Sequence, residues 1–386
     1  MMRVAVVHDW LTGMRGGERV LEEILVIFPQ AEIFTLIHLP GTVSPRIEAR
    51  PIHRSLLQRA PFAKRAFRGY LPFFPLAVES LRVSGFDLVV SSSHCVAKSV
   101  RTAGIPHLCY CHTPMRYVWD QFDAYFGGDH NLLRGLAAPI ARALRDWDAA
   151  TARRVDAFVA NSHHVRERIR RSYGRDAVVV HPPVDLDRFA AARRPEEFYL
   201  VVSALVPYKR IDLAVRACSL LGRPLVVVGE GPEGPRLRKM AGPNVTFLGR
   251  APDEEVASLY SRCRALLFPG VEDFGITAVE AQAAGAPVLA RADGGVMESV
   301  GGPLVDVAGV LAGMAGDGDG SVTGVFFASA TPESLAAAIL SCERISFDED
   351  AARRNAARFS APRFREALLR EVVKLLCPRV RLPAGV

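Results

Sequence analysis

The densest group of residues able to do chemistry lies between Phe268 and Ala281. Glu272 and Glu280 flank Gly275 with seven residues between the two acids. An apolar run ends at Phe268, a turn carries Glu272, and Gly275 opens a helix. Glu280 then lies about a turn and a half along it, at ~3.6 residues per turn. A glycine-opened helix N-terminus presents unpaired N–H groups and the positive end of the helix dipole, which suits a diphosphate. The carboxylates can accept hydrogen bonds from hydroxyls on either side of that diphosphate, a sugar on one side and a ribose on the other. Taken alone, two glutamates at this spacing more readily describe a solvated helix face.

Two further points of interest lie in the first half. Gly16 and Gly17 follow the first apolar run and precede the helical period Val20, Leu21, Ile24, Leu25 and Phe28. Their missing Cβ atoms allow a phosphate or an acceptor to approach the backbone closely, and a plain tight turn is the competing reading. His112 ends the apolar run His107 to Cys111, where loops at the carboxyl ends of parallel strands project into a ligand crevice. A buried, hydrogen-bonded core histidine is the alternative. His8, His94, His163 and His164 stand in no comparably sharp motif.

The elements that must position these residues follow from hydrophobic patterning. Short β-branched runs recur at Val4 to Val7, Ile33 to Leu36, Leu88 to Ser91, His107 to Cys111, Ala157 to Ala160 and Val178 to Val180. A second series runs Tyr199 to Ser203, Pro224 to Val228, Val245 to Leu248, Ala265 to Phe268, Pro287 to Ala290 and Gly324 to Phe327. Apolar strands alternating with amphipathic stretches predict α/β architecture with parallel sheets. Two doubly wound domains are expected, 1–188 and 195–360, followed by a final helix within 361–386. The glycine-dense stretch Gly301 to Gly320 lacks a period and reads as a loop insertion.

Absent signatures narrow the function. The segment after the first strand, His8 to Glu18, is neither a dinucleotide G-x-G-x-x-G nor a P-loop. The Asp-x-Asp pairs Asp146/Asp148, Asp185/Asp187, Asp317/Asp319 and Asp348/Asp350 do not follow a strand where a metal-bound nucleotide would sit, so no metal is expected. Seven cysteines without recurring spacing read as small core residues. Cys109, Cys111 and His112 have no second ligand pair nearby to complete a zinc site.

The chain of 386 residues carries a net charge of +7, and the excess is confined to the first half. Residues 1–192 hold 25 Lys and Arg against 18 Asp and Glu, whereas residues 193–386 hold 23 of each. Between Arg50 and Arg82 the basic residues Arg54, Arg59, Lys64, Arg65 and Arg68 meet one acid, Glu79, and are interleaved with Phe62, Phe67, Tyr70, Phe73 and Phe74. This composition suits an anionic membrane surface. Equally, the aromatics can belong to the core and the arginines to a solvated face. Nucleic acid is disfavoured, because neither zinc-finger spacing nor an RNA-binding aromatic motif is present. No apolar run reaches the ~18 to 20 residues of a membrane span. The start of the chain has no secretory signal pattern, so a cytoplasmic location, peripheral on the inner face of the cytoplasmic membrane, is expected.

Glu272 to Ala290, with Gly294-Gly295-Val296-Met297-Glu298, resembles the nucleotide-sugar site of the retaining glycosyltransferases of family 4. The resemblance extends through Val201 to Asp212, Val226 to Glu233, Asn244 to Gly249, Gly16-Gly17-Glu18 and Tyr110 to Asp120. The last run is most similar to the branch containing O-antigen mannosyltransferases. The family implies a GT-B fold, two Rossmann-like domains facing a cleft, with the C-terminal helix returning to the first domain. It implies that Glu280 contacts ribose, Glu272 the transferred sugar, Lys209 the phosphates and His112 the sugar near its reacting centre. Phe274, Gly275 and Ile276 fall where family members offer backbone N–H groups. Arg210 joins this donor set by adjacency. Family members commonly carry a second phosphate-binding arginine where this chain has Ala204, and that charge is missing.

The resemblance implies a metal-independent transferase without a cofactor. GDP-mannose is the favoured donor and a UDP-sugar the second, with a lipid-linked or growing glycan as acceptor. A GT-B nucleotide-sugar epimerase and a non-catalytic nucleotide-sugar-binding subunit share the same diphosphate site and stay open as alternatives. The oligomeric state is not readable from the sequence.

Overall fold

The computed structural model describes residues 2–63, 67–120, 131–309, 311–316 and 321–377. Lys64, Arg65, Asp317, Asp319 and Gly320 lie outside these residues, as does the chain beyond Cys377. The fold divides into two units, Met1–Pro183 with Ala361–Val386 and Val184–Ser360.

In the first unit, seven strands form one parallel sheet. They are β1 (Val4–His8), β2 (Glu32–Thr35), β3 (Ile52–Arg54), β4 (Leu88–Ser93), β5 (His107–Cys111), β6 (Ala157–Ala160) and β7 (Val178–Val179). Their order is β3-β2-β1-β4-β5-β6-β7. Side chains alternate across a strand, so Ala5 and Val7 enter one core with Trp10 and Phe74 while Val4 and Val6 enter the other with Leu21 and Ile24. A sheet covered on both faces explains why these strands read as unbroken apolar runs. β3 escaped the pattern because only three residues pair, Ile52 to Arg54 against Ile33 to Thr35, and two of them are polar and exposed.

The helix Ala361–Leu376 belongs to this unit. Phe364, Leu368 and Val372 are buried in the core of Val6 and Leu21, the Phe364 ring lies 5.5 Å from that of Tyr110, and Arg365 pairs with Glu23.

The second unit carries β8 (Tyr199–Val202), β9 (Leu225–Val228), β10 (Val245–Gly249), β11 (Leu266–Phe268), β12 (Val288–Arg291), β13 (Gly302–Val305), β14 (Leu311–Ala315) and β15 (Gly324–Phe327). The order is β10-β9-β8-β11-β12-β15-β13-β14, parallel except for the antiparallel β13/β14 pair. Both units are thus Rossmann-like α/β domains.

Two expectations are corrected. Gly301 to Gly320 is not a bare loop, since Gly302 to Val305 pairs with Leu311 to Ala315 as a hairpin that continues the sheet. Two of its glycines serve close packing: a Cβ on Gly302 would stand 2.0 Å from Gly324 O, and one on Gly316 1.9 Å from Val300 O. The boundary falls at residue 183, ahead of the expected 188. Val184 bridges to Ser360, and Val184 and Phe189 are buried in the second unit's core.

Candidate functional site

In an open parallel sheet, ligands bind beyond the carboxyl ends of the strands where the winding direction reverses. In the second unit that point lies between β8 and β11, and the loops leaving these strands carry Lys209 and Glu272.

Glycines hold these loops together. A Cβ on Gly270 would lie 2.8 Å from the Cα and O of Lys209, so the two backbones touch with no room for a side chain. Gly275 has φ +91°, a left-handed conformation that favours glycine, and a Cβ there would also meet Phe268 Cζ at 2.9 Å. Gly295 donates its N–H to Glu272 O at 2.9 Å and packs against Asp273 O, where a Cβ would come within 2.0 Å. The Glu272 to Gly275 turn is therefore clasped between the Lys209 loop and the Gly294-Gly295 turn.

Within this clasp the Lys209 ammonium pairs with the Glu272 carboxylate, both side chains being mostly buried. The helix Ile276–Ala283 starts at Gly275. Glu280, on that helix, accepts a hydrogen bond from Tyr260 Oη at 3.1 Å. Tyr260 is fully buried, and burial pushes its phenol well above the ordinary value, with the Glu280 charge adding to the effect. It therefore serves as a neutral donor. Phe274 turns its side chain into the core against Phe359, 5.3 Å between rings. Its side chain is thereby committed to packing. Arg210 has φ +50° and forks onto Asp212 at 3.0 and 3.2 Å, so its guanidinium lies along the first turn of the helix Ile211–Leu221.

In the first unit the reversal lies between β1 and β4. His8 ends β1, Ser92 lies opposite it on β4, and His112 follows β5. Ser92 Oγ lies 3.1 Å from His8 Nδ1 and 2.8 Å from His112 Nε2, so one hydroxyl joins both rings. His8 Nε2 faces Glu18 Oε1 at 3.6 Å. One proton arrangement fits the two hydrogen bonds of Ser92: Ser92 donates to His8 Nδ1 and His112 donates from Nε2 to Ser92, which leaves the His8 Nε2 proton facing Glu18 beyond hydrogen-bond distance. Gly16 and Gly17 open the helix Gly16–Ile27, and a Cβ on Gly17 would lie 3.6 Å from His8 Cε1 and 3.8 Å from His112 Nε2. Gly17 therefore sits against both imidazoles.

The electrostatics follow from burial. Desolvation, with His94 and His8 nearby, lowers His112 to about 3, so its ring is neutral near pH 7. Burial would raise Glu18, but His8 holds its carboxyl below the ordinary value. Asp9 is likewise buried and nevertheless lowered, because His94 and backbone N–H groups stabilise its charge. His94, whose side chain is only partly exposed, is lowered by desolvation despite Asp9.

The segment after His112 is anchored from below. Trp119 Nε1 donates to Asp148 Oδ2 at 2.8 Å, Tyr173 Oη donates to the same oxygen at 2.9 Å, and Lys98 Nζ meets Asp148 Oδ1 at 2.9 Å. Lys98 and Asp148 are almost wholly buried. Asp148 thus serves a structural network.

His8, Asp9, Ser92, His94 and Tyr260 were not picked out from the sequence. The only available signal was topological, since His8 and Asp9 close one strand and Ser92 to His94 close its neighbour.

Comparison with known proteins agrees with the fold. Residues 14–188 match the model for Glycosyltransferase Family 4, and residues 185–359 match Glycosyl transferases group 1. Similar curated relatives include D-inositol 3-phosphate glycosyltransferases. That of Mycolicibacterium smegmatis is 34% identical over 155 residues, 33% of this chain and 36% of the relative. That of Streptomyces scabiei is 32% identical over 197 residues, 42% of this chain and 44% of the relative. The chain thus matches less than half the length of these relatives. Among solved structures, Anabaena HepE in complex with UDP and glucose superposes with TM-score 0.66 at 16% identity, covering 97% of this chain and 100% of that one. Sucrose-phosphate synthase from Thermosynechococcus elongatus gives TM-score 0.70 at 18% identity, covering 97% and 99%. At such identities these structures speak for the fold. The two family models together run from residue 14 to residue 359, and the chain belongs to the family 4 glycosyltransferases of GT-B type.

Proposed function

We propose that the protein is a retaining, metal-independent hexosyltransferase that moves a sugar from a nucleotide diphosphate sugar to a hydroxyl of a lipid-linked or growing glycan in cell-surface polysaccharide synthesis. The observation that carries this reading is the Lys209–Glu272 pair, clasped by glycines beside the helix start at Gly275. A cation and a carboxylate so placed can separate onto a donor, the ammonium to the diphosphate and the carboxylate to sugar hydroxyls. Lys209 then stabilises the charge that builds on the leaving phosphate, where a fixed group acts more strongly on the transition state than on the ground state. Glu280, steadied by Tyr260, receives the ribose hydroxyls, and His112 meets the sugar. The acceptor oxygen bonds to the anomeric carbon on the face from which the phosphate oxygen departs, and that oxygen takes the acceptor proton.

The resemblance of Tyr110 to Asp120 to the O-antigen mannosyltransferase branch favours GDP-mannose. A UDP-sugar is the second reading, favoured by the UDP and glucose held by HepE. A thermal-shift comparison decides between them, because a ligand at 100 times its Kd stabilises by ~2.7 kcal/mol. Stabilisation by GDP-mannose with little from UDP-glucose supports the first, and the reverse supports the second. In Lys209→Ala, turnover at saturating donor is expected to fall ~100-fold or more while nucleotide affinity changes less. Unaltered turnover would remove Lys209 from the chemistry.

The acceptor side is proposed to dock on an anionic membrane surface on the cytoplasmic face. Arg54, Arg59, Arg68 and Arg82 are exposed, and Leu56, Phe62, Phe73 and Leu76 are 56% to 81% exposed. Phe67 and Phe74, by contrast, are buried in the core. Among the described residues no helix is long and apolar enough to cross a membrane. Flotation with phosphatidylglycerol vesicles is expected to weaken as salt shortens the Debye length from ~10 Å at 0.1 M to ~3 Å at 1 M. It is also expected to fail in the Phe62→Ser/Phe73→Ser variant. Flotation indifferent to both changes would make this stretch a solvated face.

A further inference from the structure

We propose that His94, held by Asp9, receives a hydroxyl of the acceptor beside the attacking one, whose own proton goes to the departing phosphate oxygen, an assignment that rests on the glycosyl-transfer reading above. Asp9 follows the last residue of β1 and has no solvent exposure. Its Oδ2 accepts the N–H groups of His94 and Cys95 at 2.7 and 3.0 Å, and its Oδ1 those of Val96 and Ala97 at 2.7 and 2.8 Å. Four such bonds occupy the roughly four lone-pair sites of a carboxylate. They fix the loop that leaves β4 to the end of β1 across 85 residues of sequence. His94 Nδ1 lies 3.1 Å from Asp9 Oδ2, and the carboxylate charge there favours the ring proton on Nδ1, leaving a lone pair on Nε2.

His107 in the same sheet supplies the contrast. It is wholly buried, with Nε2 2.8 Å from Ser91 Oγ and Nδ1 3.1 Å from the Arg154 carbonyl. Both nitrogens serve the fold. The His94 side chain is 28% exposed although its carboxylate partner is not exposed at all. Its ring stands edge-on to Trp10 at 4.4 Å and 6.3 Å from the His112 ring, on the rim where β1, β4 and β5 end. A carboxylate behind an imidazole, with the ring reaching solvent beside the sugar-facing histidine, is the geometry that orients an O–H donor. The buried negative charge behind the ring disfavours a phosphate or carboxylate there. The ligand class is therefore a neutral polyol hydroxyl.

The test uses octyl α-mannopyranoside and octyl β-glucopyranoside as acceptor probes, with GDP-mannose and UDP-glucose as donors. His94→Phe keeps an aromatic edge for Trp10 and removes the nitrogens, whereas His94→Gln retains an oxygen that can accept a hydrogen bond. His94→Phe is expected to lower kcat/KM for the glycoside by about ten-fold or more, with donor hydrolysis in the absence of acceptor within about two-fold of the parent. His94→Gln is expected to recover most of the loss. A parallel fall in hydrolysis, or no change in transfer, overturns the assignment.

A readout independent of turnover is the ¹⁵N NMR signature of His94. The Nδ1–H tautomer is expected, with an Nε2 resonance that moves on addition of the glycosides, and a resonance that stays in place overturns the proposal. A parent protein that hydrolyses neither donor and transfers to neither glycoside contradicts the glycosyl-transfer reading itself, leaving the hydroxyl site to be judged by the NMR shift.

Discussion

The two units place their candidate residues at the same topological point by opposite means. In the second, the groups are charged and partly accessible: Glu272 and Glu280 are neighbours on one turn and helix, and Lys209 from another loop reaches Glu272 because Gly270, Gly294 and Gly295 let the loops touch. In the first, the groups are mostly neutral, buried and brought from far apart, Ser92 meeting His8 across 84 residues and His112 across 20. On the proposed reading, the contrast is a division of labour. A site for a diphosphate needs formal charge and backbone access, whereas a site for sugar hydroxyls needs oriented neutral donors and acceptors.

The largest expected effect breaks the buried half. Replacing Lys98 by Met leaves Asp148 buried without its cation, and the loss of one partner of such a pair costs ~3–5 kcal/mol. Urea denaturation is expected to show that loss, with Trp119 fluorescence altered because Asp148 also holds its indole. An unchanged midpoint would mean that Asp148 is solvated.

The glycines sharpen the comparison. Gly295→Ala drives a methyl into Asp273 O and is expected to destabilise by ~1–3 kcal/mol. Gly17→Ala meets His8 and His112 only at ordinary contact distance, so its melting temperature is expected to stay near the parent's while turnover falls. Equal destabilisation by both changes would erase the distinction between a clasp and an access point.

The last effect is a dependence on pH, gradual where the others are abrupt. His112 and His107 are lowered by burial to about 3 and about 4 from the ordinary 6.5. The unfolded chain therefore binds more protons than the folded one between roughly pH 4 and 6.5. Stability is complete above that window and falls as the pH drops through it, by ~1.4 kcal/mol per pH unit for each such histidine. In His107→Asn the slope is expected to flatten, and a slope unchanged by that substitution would show that His107 does not contribute to it.

The same contrast explains what the sequence disclosed. The sheets were legible because parallel strands buried on both faces are continuous apolar runs, and the Glu272 turn was legible because its residues are neighbours. The Asp9–His94 contact, the His8–Ser92–His112 series and the Tyr260–Glu280 bond join residues on different strands or helices, so no local pattern records them. β3 was too short and polar to register. The hairpin of Gly302–Val305 with Leu311–Ala315 was hidden because the glycines in and beside it, of which Gly302 and Gly316 meet backbone closely, read as loop.

Calorimetric titration of GDP and UDP into the parent, Glu280→Ala and His112→Phe proteins tests the central claim that the second unit holds the nucleotide while the first meets the sugar. Loss of a hydrogen bond to a charged group is worth ~1.5–3 kcal/mol, so Glu280→Ala is expected to weaken the preferred nucleotide about ten-fold or more. His112→Phe is expected to bind it as the parent does. Equal weakening in both variants, or parent-like affinity in Glu280→Ala, would contradict the account.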